Sequence, residues 1–153
     1  STTTPGGSRV SRARRAASST FACVAPLRLT ASSATDIAFQ NRSAHACFVY
    51  GYPGLGLQDA HHRVMPFRVT WGSSIARRDP GRHRVVLKPG RAAFASLSGS
   101  DVPFGNEHCR PSGWLEVTPP DERSFRLVRF TAPVCDHGHL TVTALSATRT
   151  PRG

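Results

Sequence analysis

Lysine is almost missing from this chain. Lys88 stands alone among 20 basic residues, so 19 of them are arginine. Acidic residues are also few, 9 in all, which leaves a formal charge of +11. Methionine occurs once, at Met65. No Cys-x-x-Cys pair is present, which disfavours a zinc ribbon or a thioredoxin-type site. No Gly-x-Ser-x-Gly elbow marks a hydrolase nucleophile. No helix-turn-helix, zinc-finger, RNP-like or KH signature is found, so sequence-specific nucleic-acid binding is not expected. No apolar run approaches the ~20 residues that a membrane-spanning helix needs. The chain begins at Ser1 with no apolar stretch of signal-peptide length, as expected if a targeting segment was removed or the chain is a fragment.

What is present fits one domain. The 153 residues leave room for a single core, and 39% are hydrophobic, too many for a wholly disordered chain. Glycine and proline together number 25, which suits short segments joined by turns. The arginine excess reflects GC-rich codons as much as function, yet the surface it makes attracts polyanions at neutral pH.

Residues 1–20 are rich in Ser, Thr and Arg, with Val10 as the one large aliphatic residue and no acid. They are expected to form a disordered tether, and residues 21–150 the folded domain. From Phe21 the texture changes to period-two alternation: Leu27/Leu29, Ile37/Phe39, Phe48/Tyr50, Leu55/Leu57, Phe67/Val69/Trp71, Val85–Leu87, Ala92–Leu97, Leu115/Val117, Phe125–Phe130 and Leu140–Ala144. No segment carries a sustained helical stripe. The pattern predicts an all-β domain of eight to nine short strands. The expected architecture is an antiparallel two-sheet sandwich, with an up-and-down barrel as the alternative. Alternate Phe, Leu, Val and Ile side chains are expected to line the space between the sheets. Gly72–Arg84 and Ser98–Ser112 break the pattern and read as long loops.

Four widely spaced cysteines allow three complete pairings. Sequential pairing, Cys23–Cys47 and Cys109–Cys135, closes two modest loops and is the expected arrangement. Each bond would contribute about 3 kcal/mol in the chain-entropy model. The competing reading is four buried thiols in a reducing compartment.

Several groups are candidates for chemistry. His137 and His139 would face one side of an extended strand and offer a metal two ligands. A third would have to come from His61, His62 or His108, and nothing in the sequence places these nearby. No metal or other cofactor is therefore expected. Glu107, Glu116, Asp121 and Glu122 could supply paired carboxylates, but nothing sets two of them across a cleft. Asp121-Glu122-Arg123 reads as a polar hairpin turn. No catalytic residue is assigned, and the chain is read as a non-enzyme. Arg77, Arg78, Arg82 and Arg84 share one loop with a single acid, Asp79, and are candidate polyanion contacts. In Gly51-Tyr52-Pro53-Gly54, Pro53 ends a strand or lies at an edge. Tyr52 would cover the end of the sandwich, its hydroxyl seeking a backbone partner.

The order of these blocks carries a resemblance. Cys23-x(3)-Leu27 is followed by a strand ending at Asn41, then Cys47-Phe48-Val49-Tyr50-Gly51-Tyr52-Pro53-Gly54-Leu55 and Asp59. Leu87-Lys88-Pro89-Gly90, Cys109, Leu115-Glu116-Val117-Thr118-Pro119-Pro120 and Cys135 come later. From about Ala22 to Ala147 the chain resembles the actinobacterial family catalogued as domain of unknown function 4232. The resemblance implies an immunoglobulin-like (Ig-like) sandwich exported from the cytoplasm, secreted or tethered at the surface. It implies no enzymatic activity and supplies no functional residues. The chain departs from the family pattern at His61-His62 and in the arginine-heavy segment Ala76–Arg84. The resulting expectation is a non-enzymatic exported binding or structural module of the cell envelope. Its partners would be anionic envelope polymers or another envelope protein. The alternatives are an envelope enzyme or metal-handling protein using the histidines, and a secreted non-specific polyanion binder.

Overall fold

The computed structural model describes residues 21–24, 27–32, 36–74 and 77–149. The tether expected over residues 1–20 lies outside them. Ten strands and no helix occur among the described residues: β1 (Leu27–Ser32), β2 (Asp36–Asn41), β3 (Cys47–Tyr50), β4 (Gly54–Gln58), β5 (Arg68–Trp71), β6 (Arg84–Leu87), β7 (Ala92–Gly99), β8 (Trp114–Thr118), β9 (Arg126–Arg129) and β10 (His139–Val142). Each alternating run contains one strand, so the expected eight to nine fall short of the ten found. Both pattern breaks are long connections, between β5 and β6 and between β7 and β8.

Three sheets form, not two. Their orders are β1-β2-β7-β10-β5, β3-β6 and β4-β8-β9. Pairing is antiparallel except between β5 and β10, which run parallel from His139↔Arg68 to Val142↔Trp71. Residues 72–138, with four further strands, separate those two strands, so no tight turn imposes opposite directions on them.

The core draws on all three sheets. Ile37 and Phe39 of β2, Ala93, Ala95 and Leu97 of β7, and Leu140 and Val142 of β10 share one cluster with Val49, Leu57, Val85, Leu87, Leu115 and Val117. Each fully buried large aliphatic or Phe side chain contributes roughly 1.5–3 kcal/mol. The expected alternation holds on β2, β6, β8 and β10 but changes on β3. There Cys47 and Val49 turn inward, leaving Phe48 half-buried and Tyr50 exposed. Cys47 must meet Cys23, and that bond sets which face of β3 is buried. Phe67, Phe125 and Leu127 are also exposed instead of lining the interior. They lie on or beside β5 and β9, the edge strands of their sheets, where one flank has no neighbour to cover it.

Both disulfides have the expected pairing, Cys23–Cys47 and Cys109–Cys135. The first ties the leading segment to β3, beside which Cys23 N–H donates to Phe48 O at 2.8 Å. The second ties the long β7–β8 connection to the turn before β10. Asn41 is fully buried and joins four segments. Its Nδ2 donates to His45 O at 2.8 Å and Leu87 O at 2.9 Å, and its Oδ1 accepts from Ser43 N–H and Ser43 Oγ. Its backbone N–H donates to Arg91 O and its carbonyl accepts from Gly90 N–H. Between sheets, the Arg126 guanidinium of β9 donates to Leu27 O of β1 and pairs with Glu122 at 3.0 Å.

Candidate functional site

The Gly51–Pro53 segment, the end of β5 and the arginine loop meet at one place. β3 ends at Tyr50, and Gly51 then takes φ +95°, a backbone angle open to glycine. Leu145 N–H donates to Gly51 O at 2.9 Å, which holds the turn against the strand that follows β10. Tyr52 is thereby laid partly on the core. Trp71, the last residue of β5, lies flat on it, with centroids 4.8 Å apart and planes inclined by 1°. Arg82 Cζ stands 5.4 Å from the Tyr52 ring centre and 5.2 Å from that of Trp71. Trp71 remains 52% exposed.

Asp79 anchors the base of this stack. The Tyr52 hydroxyl donates to Asp79 Oδ2, in place of the backbone partner expected for it. Asp79 Oδ1 accepts from Ala144 N–H at 2.9 Å and Gly81 N–H at 3.2 Å. Burial alone would raise the Asp79 pKa, but the Ala144 amide, the Tyr52 hydroxyl and the Gly81 amide outweigh it and hold the carboxyl below its usual value. The Tyr52 hydroxyl is pushed up to about 12, first by burial, then by the bond to Asp79 and the Asp79 charge, with Arg82 opposing. The lone acid of the arginine loop thus serves as a structural clamp. Its one legible sign in the sequence is its position among four arginines.

The four candidate arginines divide. Arg82 flanks the aromatic stack, and Arg84 Cζ sits 4.2 Å from the centre of the Phe48 ring, diagonal to it across the β3–β6 ladder. Arg78 is exposed and Arg77 half-buried, its backbone N–H donating to Ser74 Oγ at 3.0 Å. The guanidiniums of Arg78, Arg82 and Arg84 have no hydrogen-bond acceptor among the described residues. Trp71 stands in the sequence only as part of the alternating run Phe67/Val69/Trp71, and its place beside the arginine loop was not legible.

The two histidines weighed as a ligand pair do not share one face. Asp136, His137 and Gly138 take φ of +53°, +57° and +77°, a left-handed turn, so the extended geometry begins only at His139. His139 Nε2 lies 2.8 Å from Thr70 Oγ1, while His137 lies against Phe104 and 3.9 Å from Glu107 Oε2. Of the possible third ligands, His108 joins His137 and Glu107 around a cavity of about 220 Å³, whereas His61 and His62 sit in the turn after β4. Glu107, Cys109 and Cys135 place one potential ligand atom each within 4.8 Å of one another. Both sulfurs are joined in the disulfide, and Glu107 is engaged by the N–H groups of Phe104, Asp136 and His137. Those three amides hold its carboxyl below the usual value.

The other carboxylates stand apart from Glu107. Glu116 on β8 accepts from Gln58 Nε2 at 2.8 Å, and Gln58 Oε1 meets His62 Nδ1 at 2.9 Å. His62 stacks on Trp114, whose ring also carries Arg129 at 4.9 Å. Asp121, Glu122 and Arg123 lie in the connection between β8 and β9, as the hairpin reading expects. Sequence order alone revealed neither the His62–Gln58–Glu116 chain nor the amide clamp on Glu107, because each joins residues distant in the chain.

No curated protein and no solved structure matches the chain. A family model described as domain of unknown function (DUF4232) matches residues 13–146, beginning earlier than the resemblance read from about Ala22. That match spans most of the chain, which therefore belongs to the DUF4232 family.

Proposed function

We propose that this protein is a non-enzymatic binding module of the cell envelope, exported and then secreted or tethered at the surface, that contacts anionic envelope polymers. Its architecture on this reading is an Ig-like sandwich, with the five-stranded sheet as one layer and β3-β6 plus β4-β8-β9 as the other. The shared core drawn from all three sheets supports that arrangement. The two disulfides support an oxidising location, because such bonds persist outside the cytoplasm. No helix among the described residues is long and apolar enough to cross a membrane.

The observation that carries the reading is Arg82. Its guanidinium stands beside two stacked rings and has no acceptor among the described residues, in a loop that also holds Arg77 and Arg78 and leads into Arg84, the first residue of β6. An exposed ion pair is weak alone, but several arginines on one loop act together and release condensed counterions from a polyanion. Guanidinium forks also grip phosphate and carboxylate bidentately. Binding of heparin-like or teichoic polymers should therefore weaken steeply as salt rises. Replacing Arg77, Arg78, Arg82 and Arg84 by Ser should flatten that slope and leave the fold intact. An unchanged slope in this variant, lost instead on removing residues 1–20, would assign binding to the leading segment. No affinity of the intact chain even at low salt would end the proposal.

A further inference from the structure

Trp71 is held in an unusual way for an exposed indole. It closes β5, the edge strand of the five-stranded sheet. One of its faces lies against Tyr52, and Tyr52 packs on the core beneath it. The opposite face is therefore the one turned outward, and the ring is 52% exposed. The support under the ring is continuous: core, Tyr52 ring, then indole, with the Tyr52 hydroxyl clamped by Asp79 and Asp79 held by two backbone amides. A side chain already fixed loses little conformational freedom when a ligand lands on it. Arg82 lies at nearly equal distances from both stacked rings, so it flanks the stack and does not cap the indole. The surface thus offers one flat apolar face with one cation at its side.

We propose that Tyr52, Trp71 and Arg82 form a subsite for a single acidic sugar unit of a polysaccharide. The C–H face of the sugar ring would lie on the outer face of Trp71, and its carboxylate would take the Arg82 guanidinium. This rests on the polyanion reading above and names the unit recognised. A pyranose chair can present axial C–H groups on a face close in size to one aromatic ring, and a uronic acid adds a carboxylate at the rim. Single-stranded nucleic acid is gripped differently, by successive bases on successive rings. Here the stack presents one outward ring, because Tyr52 covers the other face. A bare phosphate chain would use the arginines and gain nothing from the indole.

The test measures binding of the full chain to four probes at low salt. These are an oligogalacturonate, a neutral cello-oligosaccharide, inorganic polyphosphate and single-stranded DNA. Trp71→Ala should weaken oligogalacturonate binding roughly tenfold, the size of one ring-stacking contact, and leave polyphosphate binding unchanged. Trp71→Phe keeps a flat ring and should retain most of the affinity, which separates loss of stacking from loss of fold. Arg82→Gln should weaken all three anionic probes, and the neutral sugar should bind far more weakly than the acidic one. If Trp71→Ala leaves oligogalacturonate binding intact while the arginine variants lose it, the polyanion reading survives and the sugar subsite is wrong. If DNA binds as tightly as oligogalacturonate and with the same dependence on Trp71, the subsite takes bases and this inference fails. If no anionic probe binds, both proposals fall together.

Discussion

Replacing Tyr52 by Phe removes one hydroxyl and keeps the ring that carries Trp71. The lost group donates to Asp79, a partly buried charged acceptor. A hydrogen bond to a charged group contributes about 1.5–3 kcal/mol. Asp79 keeps the amides of Ala144 and Gly81 after the change, so the lower part of that range applies. The titration of Tyr52 sets how this difference changes with pH, burial being the first cause of its shift and the bond to Asp79 the second. Its folded pKa is about 12, against 10.0 for the free side chain. A raised pKa stabilises the fold fully below pH 10, and that stability is lost as pH rises from 10 through 12. Two pH units correspond to about 2.7 kcal/mol, reduced to roughly 1.5–2 kcal/mol by solvent reaching a half-buried ring. Urea unfolding at pH 8 should show Tyr52→Phe less stable by about 1.5–2 kcal/mol, a loss of about 5 °C in Tm. At pH 11.5 the gap should shrink to roughly a third of its value at pH 8, because the wild type has lost most of its advantage. With no free cysteine, no thiol is present to start disulfide exchange. An equal gap at both pH values would refute the Tyr52–Asp79 clamp.

Other substitutions test the frame around the site. A Cβ at Gly138 would lie 2.1 Å from Pro66 O, at a residue with φ of +77°. Gly138→Ala should therefore cost at least about 3 kcal/mol and lower Tm by roughly 10 °C, read by calorimetry. Asn41→Ala strips the partners from Ser43 N–H and two carbonyls, and should cost about 3 kcal/mol in urea unfolding at neutral pH. Replacing Cys109 and Cys135 by Ser should lose about 3 kcal/mol in the same assay, as should a matched change at Cys23 and Cys47. On acidification, Asp79 and Glu107 both act in one direction. Their lowered pKa values stabilise the fold above the ordinary carboxylate range, so stability should fall as pH drops through and below it.

Strand positions were readable because alternation reports one buried face, and β2, β6, β8 and β10 follow it. Turn residues marked the ends, as at Pro53 and at Pro89-Gly90. Sheet order was not readable, because the parallel β5–β10 pair joins residues about 70 positions apart. The cysteine pairing could be named because only three arrangements exist and just one of them closes two short loops. The candidate site was legible in part. The arginine cluster is contiguous and visible, whereas Tyr52, Trp71 and Asp79 come from three segments. Their meeting depends on the turn at Gly51 and the path of the β5–β6 loop. His137 and His139 do not share a face, because the strand rule for i and i+2 fails across a left-handed turn.

The central claim is that the surface formed by the Gly51–Pro53 turn, the end of β5 and the arginine loop is where this protein meets its partner. Amide chemical-shift mapping locates a binding surface residue by residue. The full ¹⁵N-labelled chain would be titrated with an acidic oligosaccharide at low salt, then returned to physiological salt, where the Debye length is about 8 Å. The account predicts the largest shifts at the amides of Gly51, Tyr52, residues 70–72, Arg78, Asp79 and residues 81–84, with most of the change reversed as salt is restored. Shifts centred on residues 1–20 or on the His62–Trp114–Arg129 face, or no shifts at any probe concentration, would contradict it.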